Sequence, residues 1–250
     1  MIQYSKLPNQ NELERWREIV AADSTQFYDL CKELGAYPMV NQLYEWSNWR
    51  TPPGTMAKIF DTAFYITKIG SLPDYAAADG NETVHLIVLN PFEALKNSLT
   101  ENISLYPPQF TEISRIAKFN DLNSLIEYAS SRQNRGVKQW CPNQFNFKDC
   151  RVSAMTGDDL ARNRNDGVDV SDEYLDQSLE ENIEQCQNFI RTVWTYKINS
   201  IGKNVYGRMW IRTNLSYFDS ETSMVTPMDQ TELELLLSRI QEHSTLRTAF

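Results

Sequence analysis

Apolar residues recur along this chain in two rhythms, and each rhythm predicts an element. Near the amino terminus Leu13, Trp16, Ile19 and Val20 fall on one helical face, and Asn9 with Glu12 three residues on forms a capping box ahead of them. A second helix is predicted from about Ser24, with Phe27, Leu30, Cys31 and Leu34 in register and Gly35 as its stop. Pro38, Pro52, Pro53 and Gly54 break the next stretch, which carries Tyr44, Trp46 and Trp49. Residues 55–69 are rich in β-branched and aromatic side chains and read as strand; the turn signal Asp79-Gly80-Asn81 precedes a buried strand over 83–89.

Pro91 opens a short helix holding Phe92, Leu95 and Leu99, with Pro107-Pro108 as its close, and two more short helices are predicted over 109–119 and 122–131. Residues 145–155 read as strand and 156–170 as a polar surface loop. Ser171 then caps a long helix lined by Leu175, Leu179, Ile183, Cys186 and Ile190. Strict alternation returns in a hairpin: Trp194, Tyr196 and Ile198 on one arm, a turn over 199–204, and Val205, Met209, Ile211 and Leu215 on the other. A last helix starts near Asp229, with Leu233, Leu236, Leu237 and Ile240 as its stripe. The pattern predicts one α+β domain over 1–250, with a helical arm over 1–36, a mixed sheet core over 55–218 and a carboxy-terminal helix over 229–243.

Composition narrows the function classes. The chain has 250 residues, 41% hydrophobic and 23% charged, which suits a folded chain with a sizeable core. A net charge of -9 repels nucleic acid and anionic membranes, and the densest basic group, Arg132, Arg135 and Lys138, reads as a solvated face. Neither a secretory signal nor an apolar run long enough to span a bilayer is present, so Cys31, Cys141, Cys150 and Cys186 are expected as reduced thiols, with a Cys141–Cys150 disulfide as the alternative. The sequons at Asn81, Asn102 and Asn214 carry no weight without a signal.

Chemical signatures are sparse. The two histidines, His85 and His243, read as core or surface residues. No zinc, nucleophile-elbow or glycine-rich phosphate motif is present. Asp158, Asp159, Asp166, Asp169, Asp172 and Glu173 cluster in sequence, but a calcium loop through them would place Arg162 and Arg164 where anionic ligands belong, so a solvated loop is expected instead. Trp46, Trp49 and Trp140 lie outside clean stripes; they suit a core, or anchors in protein contacts.

Several segments resemble the polyhedrins of cypoviruses, in the family's order: Phe92-Glu93-Ala94-Leu95-Lys96, Ser104-Leu105-Tyr106-Pro107, Val168 to Leu175, and the hairpin from Lys197-Ile198 through Gly202 to Val205. The region after Tyr174 departs from that pattern. The resemblance implies an antiparallel β-sandwich-like core with a projecting amino-terminal helix and several packed helices. It implies a non-enzymatic matrix protein of viral occlusion bodies, trimeric, packing into a lattice around virus particles in the cytoplasm of an infected host cell. Leu13, Trp16 and Val20 would then be assembly contacts. No cofactor is required on this reading, although a nucleotide is possible; no membrane or direct nucleic-acid partner is implied. Alkaline dissolution would follow from 12 Tyr, 4 Cys and 10 Lys that titrate near pH 10. The alternatives are another viral or phage structural protein, or a carboxylate-dependent enzyme using Asp158, Asp159 and His85.

Overall fold

The computed structural model of the chain describes residues 2–3, 9–53, 58–73, 76–78, 86–161, 173–198, 204–215, 217–219 and 224–247. The backbone falls into two compact units, residues 1–44 with 65–88, and residues 45–64 with 89–250.

In the first unit, strand β1 (Ile2–Gln3) precedes helix α1 (Gln10–Ala22), which starts where the sequence places its capping box. Asn9 Oδ1 accepts the Glu12 N–H at 3.0 Å, and the Glu12 carboxylate accepts the Asn9 N–H at 2.9 Å. Helix α2 (Phe27–Glu33) follows, and then β2 (Tyr37–Pro38), antiparallel to β1. Trp16 is buried against this pair of helices; its Nε1 donates to Glu33 Oε1 at 3.0 Å, and Arg15 Nη2 reaches the same oxygen at 2.8 Å.

The second unit opens with β3 (Tyr44–Arg50) and β4 (Asp61–Ile66), apart from their end residues Tyr44, Tyr65 and Ile66. Helices α3 (Pro91–Leu99), α4 (Pro107–Ile116) and α5 (Leu122–Ser131) come next. Strands β5 (Gln139–Trp140), β6 (Asn143–Asn146), β7 (Arg151–Ala154) and β8 (Glu173–Tyr174) precede the short α6 (Leu179–Ile183). The chain then runs through β9 (Ile190–Ile198), β10 (Asn204–Thr213), β11 (Tyr217–Asp219), β12 (Met224–Val225) and α7 (Gln230–Arg247). The main sheet has the order β10-β9-β7-β6-β8, antiparallel except for the last pair, and a smaller one has the order β4-β3-β5. The chain is α+β, with mixed sheets and seven α-helices among the described residues.

Alternation along β9 and β10 places helices on both faces of the main sheet. Trp194, Met209 and Ile211 point to a cluster completed by Leu95, Phe110 and Leu233 of α3, α4 and α7. Val193 and Val152 point the other way, to Leu179 and Ile183 of α6. Burying a Leu- or Phe-sized side chain in such clusters contributes roughly 1.5–3 kcal/mol.

Several expectations need correction. The long helix from Ser171 does not form over the described part: Glu173 and Tyr174 are strand, and α6 begins only at Leu179. Ser178 is the actual cap, its Oγ accepting the Glu181 N–H at 3.3 Å while the Glu181 carboxylate accepts the Ser178 N–H at 2.7 Å. Past Ile183 the Gln185 and Cys186 N–H groups turn back to the carbonyls of Asn182 and Ile183, and Asp159 Oδ2 takes the N–H groups of Gln187 and Asn188, at 2.6 and 3.0 Å. Pro107 and Pro108 open α4 rather than close α3, since a missing N–H costs nothing in a first turn. The 145–155 segment is two strands and a turn. In the 83–89 strand, residues 83–85 lie outside the described residues, and Leu86, Ile87 and Val88 are exposed without strand structure. The β3 strand answers to no sequence expectation.

Candidate functional site

Helix α4 brings together two sets of chemically able side chains. On one side, Glu112 and Arg115 sit one turn apart and are buried to 4% and 0% side-chain exposure, with Arg115 Nη1 donating to Glu112 Oε2 at 2.5 Å. Trp46 Nε1 donates to the same oxygen at 2.6 Å, and Trp49 Nε1 donates to Oε1 at 2.6 Å. The Arg115 guanidinium lies over the Trp46 ring at 4.6 Å and the Trp140 ring at 5.3 Å. A buried carboxylate is tolerated only when its charge and lone pairs are met, and three donors meet them here. The group is closed to solvent, so it fixes α4 against β3 and does not meet a ligand.

The second set is open. Tyr196 lies two residues after Trp194 on β9 and so shares the α4-covered face of the sheet; Tyr206 of β10 is its cross-strand partner. Their rings stack at 5.8 Å and 28°. Tyr106, the residue capping α4, meets Tyr206 edge to face at 5.4 Å and 72°. Arg151 of β7 lies over the Tyr196 ring at 5.0 Å and its Nη1 donates to the Tyr196 hydroxyl at 3.0 Å. The result is a line of Arg151, Tyr196, Tyr206 and Tyr106, in which Tyr106 is 55% and Tyr196 42% exposed. Burial, with Tyr196 and Tyr106 adding to it, pushes the Tyr206 phenol up to about 12. A bulge lies beside this line: Gly207 and Arg208 intervene between the paired residues Tyr206 and Met209, opposite Thr195. A Cβ on Gly207 would stand 2.7 Å from Thr195 Oγ1, so only glycine allows that approach.

The residues singled out from the sequence fall elsewhere. Asp158 is buried: Oδ2 accepts from Arg191 Nε (2.8 Å) and the Ile190 N–H (2.9 Å), and Oδ1 from Arg191 Nη2 (3.0 Å) and the Leu160 N–H (2.9 Å). Asp159 holds the turn before β9, and the N–H groups of Asn188 and Gln187 keep its carboxyl below the usual range. Both carboxylates are therefore structural. His85 lies outside the described residues, as do Asp166, Asp169 and Asp172, and His243 is on α7. Arg132 is buried over the Tyr128 ring at 5.3 Å rather than solvated. All four cysteines are free thiols. Leu13, Trp16 and Val20 all lie on α1, Trp16 buried and the other two half-buried. Among the described residues no helix is long and apolar enough to cross a membrane.

Glu112, Arg115, Arg151, Tyr106 and Tyr206 had no sequence signal of their own. The nearest hint was the hairpin, but its expected alternation grouped Val205 rather than Tyr206 with Met209, and the register shift after Tyr206 was not foreseen.

Comparison with known proteins supplies a class and then named relatives. Residues 2–116 match the family model of the NUDT19 Nudix domain. The acyl-coenzyme A diphosphatase NUDT19 of Gallus gallus is 35% identical over 152 residues, covering 60% of this chain and 40% of the relative. The Xenopus laevis protein of that name is 36% identical over 156 residues, 61% of this chain and 40% of the relative, and the Homo sapiens one is 35% identical over 150 residues, 59% and 40%. The chain thus spans about 40% of the length of these curated relatives. No solved structure matches.

These findings overturn the polyhedrin resemblance. With it fall the occlusion-matrix function, the view of the chain as a non-enzyme, and the trimeric lattice with virus particles as partners. The structure shows why short segments misled. Phe92 to Lys96 is the first turn of α3, where Asn90 and Glu93 cap each other at 2.9 and 3.4 Å, and Ser104 to Pro107 is the entry to a proline-led helix. Both are general solutions to starting a helix, shared by unrelated folds.

Proposed function

We propose that the protein is a Nudix-type hydrolase that cleaves the diphosphate linkage of acyl-coenzyme A. The observation that carries the reading is the 35–36% identity to three proteins named acyl-coenzyme A diphosphatase, over 150 to 156 residues. The open line of tyrosines ending in Arg151 is consistent with it. An aromatic and cationic surface on a chain of net charge -9 suits a substrate with a purine and several phosphates.

In the reaction, water attacks one phosphorus of the diphosphate. The bond from that phosphorus to the bridging oxygen breaks, and the bridging oxygen leaves with the other phosphate. One water is consumed, two phosphomonoesters form, and the acyl thioester is untouched. Divalent metals commonly assist such displacements by holding the attacking and leaving oxygens. Among the described residues no three His, Cys, Asp or Glu side chains are grouped to hold a metal ion, so no step is assigned through one. The finer architecture implied by the resemblance, a sandwich-like core with a projecting helix, has no part in this chemistry.

The test is to incubate the full chain with an acyl-coenzyme A and magnesium and to identify products by mass spectrometry. Adenosine 3′,5′-bisphosphate and an acyl-phosphopantetheine are expected in equal amounts. Release of free coenzyme A thiol, or recovery of the substrate unchanged, overturns the reading.

A further inference from the structure

We draw no further inference here: the strongest candidate, the half-buried Cys186 thiol held at 3.1 Å against the buried Arg191 guanidinium where α6 gives way to β9, is a lone cysteine with nothing beside it, among the described residues, that points to a ligand or a modifying group.

Discussion

Glu112 holds four partners' worth of structure on two oxygens and two ring planes: Trp46, Trp49 and Arg115 by hydrogen bond, and Trp140 through the guanidinium. Glu112→Gln leaves the Arg115 charge buried without its anion and should cost about 3–5 kcal/mol in urea unfolding. Replacing Glu112 and Arg115 together with apolar residues should cost less than that single change, because no orphan charge remains. At the same scale, burial pushes both Cys150 and Tyr206 up to about 12, from ordinary values of 9.0 and 10.0. The folded chain then keeps protons that the unfolded chain has released, and folding loses stability as pH rises there. The contribution is full below about pH 9 and drains toward pH 12. Urea midpoints measured from pH 8 upward should fall most steeply in that window, and Tyr206→Phe should flatten the part above pH 10.

The hairpin of β9 and β10 depends on one backbone approach. Gly207→Ala should cost about 1–3 kcal/mol as its Cβ meets Thr195, and Thr195→Ala should recover part of that by removing Oγ1, the nearer of the contacts. Thermal unfolding of the two variants and their combination checks this. Elements with a single strong rhythm were legible: α5 spans Leu122–Ser131, where its pattern places it, and the hairpin arms pair, although the bulge after Tyr206 breaks the single alternation expected along β10. Strand β3 was not, because Trp46, Ser47 and Trp49 are all buried, which is no strict alternation, and its partner β5 lies far along the chain. The false helix after Ser171 arose because Leu179 and Ile183 do share a helical face, while Ile190 is buried through a strand instead. Bonds from Asp159 to Gln187 and Asn188, and between Asn214 and residues 187 and 189, hold the segment after α6 in a turn, and none of them is visible in a linear reading. The candidate site was half legible for the same reason: Tyr196 and Tyr206 are neighbours by register, whereas Tyr106 and Arg151 join them only through packing of α4 and β7.

At the scale of the molecule, a net charge of -9 would repel the proposed polyanionic substrate, so association would lean on local cations and stacking rather than on the overall field. The missing motifs led the sequence reading away from an enzyme, yet an unmotivated sequence is no evidence against chemistry, because catalytic groups converge in space and not along the chain. The most direct measurement is turnover of an acyl-coenzyme A by the full chain in ¹⁸O-labelled water. One ¹⁸O should appear in a phosphate of one product, with the thioester intact in the other or the same product. Label in a released fatty acid, or no label in any product of complete incubation, would contradict diphosphate hydrolysis.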